Sequence, residues 1–206
     1  TPSPTPSPTP TPQPTTFGIT INDGALFTNN PLVTVRLWGP NVTQMRLSND
    51  GGFVDSTWQS YRLTTTWALS VTHSSPMPRL VYIQFRDGSG DVYGTYFDDI
   101  IYDDVAPTGE VHAWAIDETT TEVRLPAHDD VSGVAEMRIA DNVSMGGATW
   151  EAYTETVTRT TQSPVVYAQF RDRAGNSSSI YGSDGQEWER VRQLYLPLVQ
   201  RGGSAQ

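Results

Sequence analysis

The chain has 206 residues, thirteen arginines against twenty-three carboxylates, a net charge of −10, and neither cysteine nor lysine. A phosphate-binding surface needs clustered cations, so nucleic acid is not an expected partner. The lack of thiols excludes disulfide staples and cysteine nucleophiles. No apolar stretch approaches the ~18 residues that a membrane-crossing helix needs, so no membrane span is expected. No leader sequence precedes Thr1, so the chain is expected to be a processed product or a fragment.

Residues 1–16 alternate Thr or Ser with proline and form a tail. Proline at every second position removes half the amide donors and holds φ near −65°, which excludes both a helix and a ladder strand. The expectation is an extended polyproline II segment, about 3.1 Å per residue. Ser and Thr interleaved with proline is also the composition of O-glycosylated stalks. Thr1, Ser3, Thr5, Ser7, Thr9, Thr11, Thr15 and Thr16 are therefore candidate O-glycosylation positions, and the tail is expected to be docked or glycosylated.

The remainder repeats itself. Val35-Arg36-Leu37 returns as Val123-Arg124-Leu125, and Met45-Arg46-Leu47 as Met137-Arg138-Ile139. Thr57-Trp58 with Tyr61 returns as Thr149-Trp150 with Tyr153, and Val81-Tyr82-Ile83-Gln84-Phe85-Arg86-Asp87 as Val166-Tyr167-Ala168-Gln169-Phe170-Arg171-Asp172. Four matched blocks in one order indicate two copies of a domain. Within each block apolar and polar residues alternate, the signature of half-buried strands. Val35, Leu37, Met45, Leu47, Val81, Ile83 and Phe85 are expected in one core. Val123, Leu125, Met137, Ile139, Val166, Ala168 and Phe170 are expected in the other, with Thr34, Arg36 and Gln84 facing out. About seven such strands per copy make an immunoglobulin-like β-sandwich, an all-β fold. The expected organisation is a tail at 1–16, domain one at 17–106, domain two at 107–189 and an apolar segment at 190–206.

The blocks Ile19-Thr20-Ile21-Asn22-Asp23-Gly24-Ala25, Met45-Arg46-Leu47-Ser48-Asn49-Asp50-Gly51 and Val81–Asp87 resemble bacterial immunoglobulin-like repeats over about 17–185. The second copy departs from the pattern at Asp141-Asn142-Val143. The ending Tyr195-Leu196-Pro197-Leu198-Val199 followed by Arg201 is similar to the C-termini of many secreted proteins of filamentous environmental bacteria. The resemblance implies a sandwich fold and a secreted, extracellular or cell-surface location, with roles as spacer, adhesive module or assembly unit. The absence of disulfides fits a bacterial surface protein.

Motifs for catalysis are missing. No G-x-S-x-G, G-x-x-x-x-G-K-[ST] or H-E-x-x-H occurs, and His73, His112 and His128 lack ligand spacing, so an enzyme is not expected. Asp98, Asp99, Asp103 and Asp104 near the domain junction, with Asp129 or Asp130, could converge on calcium. The same segment also reads as a strand with charged ends, and no D-x-[DN]-x-[DN]-G loop is present, so no metal ligand and no cofactor is assigned. Asn41, Asn142 and Asn176 head N-x-[ST] sequons and are candidate N-glycosylation sites, covalent glycans being the one non-protein group considered. Trp58 and Trp150 occupy matched positions, which points to a structural role more than a sugar platform.

Beyond Glu189 the second copy should be complete, yet Leu194, Tyr195, Leu196, Pro197, Leu198 and Val199 follow. Even half burial of such a run is worth several kcal/mol, at roughly 25 cal/mol per Å², so this segment is the candidate for assembly by strand donation. The functional expectation is a structural subunit of an extracellular fibre or surface assembly, joined head-to-tail to identical subunits through its termini. The alternatives are a carbohydrate-binding or adhesive module and a passive spacer of a larger secreted protein.

Overall fold

The computed structural model describes residues 15–161, 163 and 165–183. The O-glycosylation candidates from Thr1 to Thr11 and the assembly segment Leu194–Val199 lie outside the described residues, as does Trp188. The chain divides into two compact units between Tyr102 and Asp103, so Asp103–Ala106 belong to the second unit, where the sequence reading had put them in the first.

The first unit contains β1 (Gly18–Ile21), β2 (Phe27–Thr28), β3 (Leu32–Trp38), β4 (Gln44–Ser48), β5 (Gln59–Ser60), β6 (Thr64–Ala68), β7 (Arg79–Arg86) and β8 (Val92–Tyr102). One sheet has the order β1-β3-β6 and the other β2-β8-β7-β4-β5. Successive strands therefore switch sheets at every step from β1 to β4, and again from β5 to β6 and from β6 to β7, the Greek-key connectivity of an immunoglobulin sandwich. All neighbours are antiparallel except β2, whose Phe27 and Thr28 lie parallel to Ile101 and Tyr102 of β8.

The register follows from the alternation. In β3, Val33, Val35 and Leu37 are buried while Leu32, Thr34 and Arg36 are exposed. Val35 pairs with Ile21 on one side and Thr65 on the other. In β7, Val81, Ile83 and Phe85 are fully buried and oppose Met45 and Leu47 of β4 through the Phe85↔Met45 and Ile83↔Leu47 pairs. A one-residue slip would bring Arg36 and Gln84 inward, and burying an unpaired guanidinium rules that out.

The second unit contains β9 (Thr108–Gly109), β10 (His112–Ala115), β11 (Thr120–Arg124), β12 (Ala127–His128), β13 (Val134–Ala140), β14 (Glu151–Ala152), β15 (Thr156–Thr160), β16 (Tyr167–Asp172) and β17 (Tyr181–Gly182). Its sheets run β10-β11-β15 and β14-β13-β16-β17, with β9 paired to β12. The strands thus repeat the first unit's order. All seven residues expected in this core, from Val123 to Phe170, are buried, as are the seven of the first unit. The short strands β2, β9 and β12 bring each unit above the expected seven.

The units differ in how their first two long strands connect. In the first, residues 22–31 make a 3-10 turn at Asn22–Gly24 and then β2. In the second, β10 returns directly through a tight turn in which Asp117 Oδ1 accepts the Thr119 and Thr120 amides, both at 2.8 Å. The loop after the third long strand is built alike in both. Phe53 (φ 57) and Met145 (φ 56) adopt the left-handed conformation and are nonetheless buried. That backbone costs a bulky residue about 1–2 kcal/mol, which burial of the side chain offsets.

Candidate functional site

The most distinctive side-chain arrangement occurs twice, on the outer face of the larger sheet in each unit. Trp58 follows that loop, and two guanidinium groups lie over its ring, Arg46 Cζ 4.7 Å and Arg86 Cζ 4.5 Å from the centroid. Trp150 is held likewise by Arg138 at 4.9 Å and Arg171 at 4.4 Å. Strand register sets the spacing, since Arg46 opposes Gln84 in the first unit and Arg138 opposes Gln169 in the second. Gln84 Oε1 accepts from Arg46 Nε and Nη2 at 2.9 and 2.6 Å, and Gln169 Oε1 accepts from Arg138 at the same two distances. A bidentate acceptor fixes the orientation of the guanidinium that lies over the indole ring.

The outer arginines differ between units. Arg171 Nε donates to Glu136 Oε2 at 2.7 Å in a charged pair. Arg86 Nε donates at 2.6 Å to Gln44 Oε1, a neutral acceptor at the position matching Glu136. Among the described residues, neither Arg46 nor Arg86 has a carboxylate partner.

A second matched feature braces each core. Tyr61 Oη donates to Leu37 O at 3.1 Å and Tyr153 Oη to Leu125 O at 2.9 Å. Their rings meet Phe85 and Phe170 edge-on, both at 6.1 Å. Burial raises both phenols above their ordinary pKa, which keeps the hydroxyls neutral as donors.

Three carboxylates come together in the second unit. Oxygens of Asp103, Asp129 and Asp172 lie within 4.8 Å of one another, and Asp103 and Asp172 are buried. Backbone amides surround them. Asp103 accepts from Val105 N at 3.1 Å and Ser132 N at 3.1 Å. Asp129 Oδ1 accepts from Ser132 N and Gly133 N at 2.9 and 2.6 Å. Asp172 Oδ1 accepts from Gly175 N and Asn176 N at 2.7 and 2.8 Å, and Asn176 Nδ2 donates to Asp172 Oδ2 at 2.8 Å. The group therefore ties the start of the unit to two of its turns. Burial raises the Asp172 pKa; the Asn176 and Gly175 hydrogen bonds oppose that rise and the Asp103 charge adds to it. Among the described residues, these three carboxylates lie close enough together to hold a divalent cation.

Sequence reasoning named Asp103 and Asp129 for such a cluster but not Asp172, which it placed at the end of the repeated Val166–Asp172 block. Asp98 lies elsewhere, its Oδ2 accepting the Ile21 amide at 2.7 Å in the first unit, and Asp130 pairs with His128 at 2.7 Å. His73 is near Thr72 and His112 near Glu110, so the histidines are not brought together. The clamp arginines were visible only as repeated letters, because which arginine faces which glutamine depends on strand pairing.

The sequons differ in access. Asn41 and Asn142 are exposed. The Nδ2 of Asn176, the atom a glycan would occupy, donates to Asp103 O, Val105 O and Asp172 Oδ2. Thr15 and Thr16 are exposed.

No known protein family matches the sequence, and no curated protein does. Among solved structures, a chain described as "Cytokine receptor complex - Crystal form 1A" is similar at a TM-score of 0.31 and 13% identity, covering 81% of this chain and 96% of that one. A likeness at this level says nothing about activity or ligand. No helix among the described residues is long and apolar enough to cross a membrane.

Proposed function

We propose that this chain is a secreted, non-catalytic structural unit of a surface assembly or fibre, in which two immunoglobulin-like sandwiches are the rigid parts and the terminal segments join identical subunits. The observation that supports this reading is the duplicated clamp. In both units two guanidinium groups of the same sheet lie over the ring of the matched tryptophan. A sugar platform needs an open aromatic face, so the carbohydrate-binding alternative loses the two tryptophans that the repeat singles out. What the repeat retains is bracing: a clamp and a tyrosine hydrogen bond in each copy, which suits a load-carrying array.

The reading is tested on the full chain by sedimentation velocity and electron microscopy, beside variants lacking residues 1–16 or 190–206. Concentration-dependent oligomers or filaments that disappear with one of the deletions are expected. A full chain that stays monomeric at every concentration sinks the assembly reading and leaves the passive spacer.

A further inference from the structure

We infer that the second sandwich carries a binding cleft for a small acidic sugar, a ring bearing one carboxylate and several hydroxyls, on its open side between β14 and β15. The site is complete within one chain, so the inference goes beyond the assembly reading and does not depend on it. The cleft has a volume of about 500 Å³ and is lined by Ile139, Thr149, Glu151, Val157, Thr158 and Arg159. That is the size of a small-molecule site. It opens where the two sheets part, because β14 and β15 are edge strands of different sheets.

Arg159 carries the inference. Alternation along β15 turns Val157, Arg159 and the buried Thr161 toward the core, while Thr156, Thr158 and Thr160 are exposed. A half-buried arginine therefore occupies an inward-facing position. Its Nη1 donates to Ile139 O at 3.2 Å, and no carboxylate among the described residues lies within ion-pair distance of it. A partly desolvated cation without a counter-charge is costly, and the planar guanidinium fork is the matching donor for a carboxylate.

The first unit shows the contrast. The pairs Val33↔Trp67 and Thr121↔Arg159 make Trp67 the counterpart of Arg159. Trp67 lines a cleft in the corresponding place, and its Nε1 donates to Asn49 Oδ1 at 2.9 Å. That cleft satisfies its inward polar group from its own side chains. Of the two, the second presents a cation.

The rest of the lining suits hydroxyls. Leu125 N donates to Glu155 O and Thr161 N to Thr119 O, so the odd-numbered residues of β15 turn their backbone groups toward β11. By antiparallel alternation the N–H and C=O of Thr158 point to the open edge, where a ligand can pair with them. Thr149 and Glu151 are exposed at the rim. Glu151 repels a bare carboxylate but accepts hydrogen bonds from sugar hydroxyls. The cleft therefore selects a molecule with both groups. The chain's net charge of −10 is spread over its surface and is screened beyond about 8 Å at physiological salt, so the guanidinium in contact decides the sign.

The test titrates glucuronate into the full chain and follows backbone amides by NMR, with glucose and acetate as the two half-ligands. Saturable shifts are expected at Thr149, Glu151, Thr158 and Arg159, with a dissociation constant of about 1 mM, ordinary for so small a ligand. The first-unit cleft, at Asn49 and Trp67, should not move. Glucose and acetate should each bind at least about tenfold more weakly, and Arg159→Gln should weaken glucuronate by a similar factor while circular dichroism stays unchanged. Arg159→Lys, which keeps the charge and loses the fork, should fall between parent and Arg159→Gln. Absence of saturable shifts at the four amides of the parent chain overturns the site, whatever the variants do. Glucuronate binding unaltered in a folded Arg159→Gln overturns the role of the guanidinium. Acetate binding as tightly as glucuronate overturns the sugar, and glucose doing so overturns the carboxylate.

Discussion

Tyr153 donates its hydroxyl hydrogen to the carbonyl oxygen of Leu125 at 2.9 Å, and its hydroxyl oxygen accepts the Ala127 amide at 3.2 Å. One side chain thus satisfies two backbone groups just past the end of β11, where the chain leaves the sheet. Among the described residues, Tyr61 makes a single such bond, to Leu37 O at 3.1 Å.

Tyr153→Phe should therefore cost more than Tyr61→Phe. A buried hydrogen bond is worth about 1 kcal/mol net, so the expected losses are about 2 kcal/mol in the second unit and about 1 kcal/mol in the first. Urea unfolding followed by a probe in each unit measures both. Equal losses would show that the Ala127 contact contributes nothing.

The clamps make a separate prediction. Trp150→Ala removes the ring over which Arg138 and Arg171 lie. With cation–π contacts worth roughly 0.5–1 kcal/mol each at partly exposed sites, the second unit should lose about 1–2 kcal/mol. Trp150→Phe should recover part of that. A variant as stable as the parent would mean that the stacking follows from strand geometry alone.

Asp172 sets a pH dependence. Its folded-state pKa lies above the ordinary carboxylate value of 3.8, chiefly through burial. The fold then binds a proton more readily than the unfolded chain, so this contribution to stability is complete below the unfolded pKa and is lost as pH rises through the raised folded value. Melting temperatures measured from about pH 4 to pH 7 should fall less in Asp172→Asn than in the parent, because the variant has no proton to lose there. Parallel curves for the two proteins would contradict this.

Access to the sequons predicts their occupancy. Expressed in a glycosylating host, the chain should carry glycans on Asn41 and Asn142 and none on Asn176, whose amide nitrogen is bound within the carboxylate cluster. Peptide mass spectrometry reads all three. Full occupancy of Asn176 would require those hydrogen bonds to break, and the carboxylate cluster with them.

Much of this protein is written into local pattern. Alternation along Val33–Leu37 and Val81–Phe85 decided which side chains enter the core, because a strand has a period of two and a guanidinium cannot be left unpaired in apolar surroundings. Repetition of four blocks decided that the fold occurs twice. The unit boundary was less legible: Asp103 looks like the charged end of β8, yet its carboxylate is bound by Ser132, far along the chain. The same holds for the sites. Arg46 meets Gln84, Arg171 meets Glu136, and Asp172 meets Asp103 only through strand pairing and turn closure between distant segments. Short-range physics sets which face of a strand a residue occupies; the tertiary fold alone sets which residue lies opposite, and that brought Arg86 to the neutral amide of Gln44 and Arg171 to the carboxylate of Glu136.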